Sequence, residues 1–163
     1  MSERIRVADL LASLAREWPA VAARVHLAVP YLYRARDQLF DDVCERLAPY
    51  GLRPADVDVL AALRTRPPPR QLTPTVLYRS LLLSSGGLTK ILTRLEREGL
   101  VERLANPADG RSHLVRLTER GAARLDEVVP VILAQEADFL APLEAAERQE
   151  LGRLLAKLVE RRG

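Results

Sequence analysis

The spacing of apolar residues changes at Gly99, and this change constrains the fold more than any other feature of the chain. Before it, Leu88, Ile91, Leu92 and Leu95 recur at three and four, a helical period, with Thr89, Lys90, Thr93, Arg94 and Arg97 toward the opposite, solvent-facing side. After it, residues 100–104 and 114–117 read as two short strands around Asn106-Pro107-Ala108-Asp109-Gly110, a run of turn formers that predicts a β-hairpin. Gly99 itself suits a left-handed cap that ends the helix. Upstream, Gly51 is a stop signal and Pro54 can open a helix reaching about Leu63, with Val57, Leu60 and Leu63 on one face. Pro67, Pro68 and Pro69 forbid its continuation. Thr73-Pro74 then starts a short helix, and Ser84 and Ser85 open the polar-faced one. Short helix, short helix, polar-faced helix and hairpin is the order of a winged helix-turn-helix, with the third helix as reader and the hairpin as wing.

Both ends of the chain are helical. Ile5 to Ala15 predicts a short helix ahead of Trp18 and Pro19, and Val21 to Ala48 a long one that Pro30 should kink or divide. Leu125, Val128, Val129, Ile132, Leu133 and Leu140 mark another long helix, interrupted by Pro130, and Leu151, Leu154, Leu155 and Leu158 mark the last. The expected fold is therefore mainly α with a small β-hairpin wing. It divides into residues 1–52 (N-terminal helix and first long helix), 53–117 (winged helix-turn-helix lobe) and 118–163 (C-terminal helices). Charge follows nearly the same division: residues 54–117 carry ten Lys and Arg against six Asp and Glu, while the flanks are near neutral or acidic. That suits a phosphate-facing module on a scaffold that stays off nucleic acid.

One cysteine, Cys44, excludes an intrachain disulfide and a cysteine-cluster zinc site, and fits a reducing cytoplasm. Charges at Glu3, Arg4, Arg6 and Asp9 interrupt any export or membrane-spanning run near the N-terminus. No nucleophile elbow, phosphate-binding glycine loop or zincin pair is present, and the two histidines, His26 and His113, lie far apart in sequence. The chain does not read as an enzyme, and no cofactor or metal is expected.

The run Leu72-Thr73-Pro74-Thr75, then Leu83-Ser84-Ser85-Gly86-Gly87-Leu88-Thr89, then Arg94-Leu95-Glu96-Arg97-Glu98-Gly99-Leu100-Val101-Glu102-Arg103, resembles the MarR family of transcriptional regulators. The likeness continues through Asn106-Pro107-Ala108-Asp109-Gly110-Arg111 and Val115-Arg116-Leu117-Thr118-Glu119-Arg120-Gly121. It implies a triangular homodimer in which the first long helix and the last two helices interlock. It also implies two recognition helices about 34 Å apart on an inverted-repeat operator in double-stranded DNA.

The residues expected at DNA are Ser84, Ser85, Gly86, Gly87, Thr89, Lys90, Thr93 and Arg94 on the reader. Their hydroxyls, backbone amides and cationic groups suit phosphates and guanine edges. At the wing tip, Arg111 is expected in a narrow minor groove, with Asp109 orienting it. The resemblance further implies release by a small aromatic or anionic effector between scaffold and reading lobe. Trp18, Asp58 and Arg103 match positions of the urate-responsive subgroup, and Tyr33 is a further candidate lining residue. Lys90 departs from that subgroup's arginine and lacks its planar fork. Where the peroxide-sensing branch carries its reactive cysteine, this chain has Val29, and Cys44 lies beside Asp42 and Glu45, which disfavour a thiolate. The alternatives are a winged-helix protein-interaction module without DNA binding, and a redox-responsive regulator acting through Cys44.

Overall fold

A computed structural model describes residues 5–81, 87–109 and 112–160. The chain forms two compact units, residues 1–42 and 43–163.

The first unit holds α1 (Val7–Glu17), α2 (Pro19–Ala22) and most of α3 (Ala28–Leu47). Trp18 and Pro19 separate α1 from α2, and the two short helices pack on one another. The sequence predicted one helical run from Val21. Instead the chain breaks after the single turn of α2, and α3 begins at Ala28. Pro30 thus falls in the first turn of α3, where a helix has no intrahelical use for the backbone N–H that proline lacks.

The second unit contains the remaining elements. A 3-10 turn over Ala48–Tyr50 ends at Gly51 in the left-handed region (φ 68°). The elements that follow are α4 (Pro54–Arg64), β1 (Gln71–Leu72), α5 (Pro74–Arg79), α6 (Leu88–Arg97), β2 (Val101–Ala105), β3 (His113–Leu117), α7 (Glu119–Leu140) and α8 (Ala145–Val159). Proline opens both α4 and α5, and the Thr73 hydroxyl caps α5 by accepting from the Val76 N–H at 3.3 Å. Gly99 stops α6 with φ 68°, its N–H donating to the Glu96 carbonyl and the Leu100 N–H to that of Leu95. Pro130 lies inside α7, which continues through it.

The sheet is antiparallel in the order β1-β3-β2, with Gln71 opposite Arg116 and Arg103 opposite Val115. Helix α4 is the hub, packing on α5, α6, α7 and β3. Leu60 and Leu63 from α4 meet Leu77, Leu95, Val101, Val115 and Val128 in one fully buried core. Burial of each such leucine contributes roughly 1.5–3 kcal/mol, which fixes the reader helix and wing on α4. Arg64 reaches Asp126 at 3.2 Å and Arg46 reaches Asp138 at 3.0 Å, both on α7. Among the described residues no helix is long and apolar enough to cross a membrane.

Candidate nucleic-acid interface

Helix α6 presents two different sides. Leu92 and Leu95 are buried, Leu88 and Ile91 half-buried, and Thr89, Lys90, Thr93 and Arg97 exposed. Donor-bearing side chains with no apolar cover therefore occupy the outward face, as the spacing predicted. Gly87 stands at the N-cap position of α6, with open space where a Cβ would lie, so a backbone could approach closely there. Ser84, Ser85 and Gly86, expected at the start of this helix, lie outside the described residues, as does Arg111 at the wing tip.

Arg94 differs from the outward placement expected of it. Its side chain is only 20% exposed and pairs with the fully buried Asp56 of α4. The other carboxylate oxygen of Asp56 accepts the backbone N–H of Arg53 at 2.7 Å, so a single acid caps α4 and anchors the reader helix. An arginine on the flank of α6 fills the charge demand of a buried carboxylate before it can reach solvent. The sequence signal for Asp56 was its place three residues beyond Arg53, the residue that caps α4, where an acid satisfies free N–H groups.

The wing is tied to α6 through Arg103. Its guanidinium contacts Glu96 at 3.1 Å and donates to the Thr93 hydroxyl at 3.1 Å, and that hydroxyl in turn donates to the Thr89 carbonyl at 2.9 Å. Asn106 and Ser112 clasp the base of the wing turn: the Asn106 amide donates to the Ser112 hydroxyl at 2.7 Å, while its carbonyl oxygen accepts from the Ala108 N–H at 3.1 Å. Asp109 is exposed within this turn. On the far face of the sheet, Arg116 donates to Glu102 at 2.7 Å. That bond raises the Arg116 guanidinium above its ordinary value, against a smaller opposing effect of desolvation.

An open cleft of about 330 Å³ separates the first turns of α6 from the wing. Thr75, Thr89, Arg103 and His113 give it exposed polar walls, and the buried Leu92 and Val115 form part of its lining. Of the expected effector residues, Trp18 and Tyr33 are exposed aromatics of the first unit, at 61% and 71%. Asp58 on α4 and Arg103 on β2 belong to the second unit; Asp58 is half-buried, and Arg103 already engages Glu96 and Thr93. Cys44 is half-buried near the end of α3, lining a shallow hollow with Ala48 and Arg53.

Helix-turn-helix, polar reader and clasped wing together define a winged-helix DNA-binding module. A MarR family model matches residues 50–112. The HTH-type transcriptional repressor Mb2911 of Mycobacterium bovis is 33% identical over 127 residues, covering 78% of this chain and 89% of that protein. The HTH-type transcriptional regulator PecS of Dickeya dadantii is 29% identical over 161 residues, covering 97% and 95%. A crystal structure of a cysteine-to-serine mutant of MarR from E. coli complexed with operator DNA superposes with a TM-score of 0.71 at 27% identity, over 95% of this chain and 99% of that one. The chain belongs to the MarR family of DNA-binding transcriptional regulators.

Proposed function

We propose that the chain is a repressor that binds an inverted-repeat operator as a homodimer and leaves it when a small aromatic or anionic effector binds. The observation that carries the DNA-binding part is the exposed, donor-bearing face of α6, with Thr89 and Lys90 free of apolar cover beside a braced wing. In this reading Ser84, Ser85, Gly86, Gly87, Thr89, Lys90 and Thr93 face the major groove or its phosphates, and Arg111, oriented by Asp109, enters the minor groove. Arg94 holds the reader helix in place from within. A homodimer is supported by apolar side chains that the single chain leaves exposed on its last two helices, among them Leu133 at 57% and Leu158 at 61%. Repression is supported by the printed description of the Mycobacterium bovis relative. Of the effector residues, Trp18, Asp58 and Arg103 follow from the resemblance to the urate-responsive subgroup, and Tyr33 is a further candidate lining residue.

Site selection on random duplexes, followed by shift assays over a salt series, tests this reading. An inverted repeat is expected, with affinity falling steeply as salt rises. Arg111→Ala is expected to weaken binding roughly ten- to a hundredfold while leaving the dimer intact. Urate and other aromatic anions, added one at a time, should include one that dissociates the complex. Absence of duplex binding at low salt would instead favour a protein-interaction module.

A further inference from the structure

We infer that the cleft between α6 and the wing seats a DNA backbone phosphate against Arg103 and His113, so that operator binding takes up a proton at His113. This rests on the proposed DNA-binding reading and adds a site and a linked proton to it.

Strand register supplies the first support. Arg103 lies opposite Val115 and Ala105 opposite His113, so the two-residue alternation of strands puts Arg103 and His113 on the same face of the sheet, diagonal to each other. Both line the cleft, together with Thr75, Thr89 and Ser112. A guanidinium, an imidazole and the hydroxyls of Thr75 and Thr89 form a set of donors matched to phosphate oxygens, while the Ser112 hydroxyl donates to the Asp109 carbonyl at 3.2 Å. The opposite face of the same strands is occupied by the Arg116–Glu102 pair, which neutralises itself.

Position supplies the second. With α6 in the major groove and the wing tip in the minor groove, the sugar-phosphate strand dividing the two grooves must cross the protein surface between them. That surface is this cleft. Its floor is closed by Leu92 and Val115, which are buried, so a phosphate rests on it and does not pass through.

The charged groups around His113 decide the sign. From β2 comes Arg103, held by Glu96 of α6 at 3.1 Å. Asp109 stands on the wing turn, its carbonyl accepting the Ser112 N–H at 3.0 Å. The part of α5 that lines the cleft, Thr73 to Thr75, brings hydroxyls and no charge. A phosphate placed between Arg103 and His113 adds an anion to the imidazole's surroundings and favours its protonated form in the complex. Operator affinity is therefore expected to be greater with the His113 imidazole protonated than with it neutral, and so higher at acid than at alkaline pH.

The test is the slope of log affinity against log salt for the full chain on its selected operator duplex, at about pH 6 and about pH 8.5, either side of the ordinary imidazole range. The slope is expected to be steeper at the lower pH by about 0.9 for each protomer bound, one phosphate's worth of released counterion. His113→Gln should abolish this pH dependence while keeping the shallow high-pH slope, and His113→Lys should give the steep slope at both pH values. His26→Gln, which removes the other histidine, should behave as the wild type. His113 is exposed at the first residue of β3, so thermal melting of its variants should match the wild type. A wild-type slope independent of pH, or a pH dependence that survives in His113→Gln, overturns the inference. A wild type that binds no duplex at either pH removes the DNA-binding reading, and the phosphate seat with it.

Discussion

Asp56 carries more structural responsibility than any residue on the reading surface. It is fully buried, with one oxygen on the Arg53 N–H and the other on the Arg94 guanidinium. Both of its hydrogen-bonding directions are thus used, which is the condition under which a carboxylate tolerates burial. Removing it leaves Arg94 with its charge in a low-dielectric surrounding and strips a cap from α4. Asp56→Ala is expected to cost about 3–5 kcal/mol, read as a lower urea midpoint. A change below about 1 kcal/mol would show that solvent reaches Arg94 easily and that the pair behaves as a surface one. The double variant Asp56→Leu with Arg94→Met should recover most of the lost stability, because an apolar pair of similar volume escapes the desolvation penalty. Operator affinity measured on that variant then reports what the ion pair contributes to aiming α6, separately from folding.

At the scale of elements, the junction between wing and scaffold is set by Thr118 and Gly121. The Thr118 hydroxyl accepts the Gly121 N–H at 2.9 Å, capping α7, and donates to the Gly99 carbonyl at 2.8 Å. One side chain thereby joins the end of α6 to the start of α7. Gly121 is there because nothing larger fits: a Cβ on it would lie 2.0 Å from the Leu100 carbonyl oxygen, a backbone atom that cannot turn aside. Gly121→Ala is expected to destabilise by at least about 1–3 kcal/mol, the range for overpacking, and to lower the melting temperature accordingly. An unchanged melting temperature would mean that α7 can shift freely against β2. Much at this scale was legible in the sequence, for local reasons. Leu88 to Leu95 carried a helical period and Gly99 a stop, Thr73-Pro74 a start, and Asn106 to Gly110 a turn. What was not legible depended on distant partners. The two residues of β1 have no period of their own and exist as a strand through pairing with β3. The inward commitment of Arg94 was hidden because its acid stands 38 residues away. Pro30 looked like a kink until the start of α3 placed it in a first turn.

For the whole molecule, the distribution of apolar surface is the governing feature. In the second unit the core around α4 is closed, yet Leu133 on α7 and Leu151, Leu154 and Leu158 on α8 are between 36% and 61% exposed. In the first unit only Val7 is buried among the described residues, while Leu27, Tyr31 and Tyr33 are each at least half exposed. If a second copy covers these faces, apparent stability becomes a function of protein concentration. Each tenfold increase is then expected to add about 1.4 kcal/mol and raise the melting temperature, and a melting temperature independent of concentration would refute association. Leu154→Glu combined with Leu158→Glu should yield a smaller species in sedimentation without abolishing the winged-helix core.

Those exposed leucines of α8 also bear on how the regulator responds to its own dosage. If two copies pair through these leucines, as proposed, and the chain is scarce relative to its self-association constant, the population able to span a paired half-site grows as the square of the chain concentration. On that pairing, a halving of the chain concentration would reduce the population by about fourfold, so the strength of the contact through α8 would set a protein concentration below which the operator is left open.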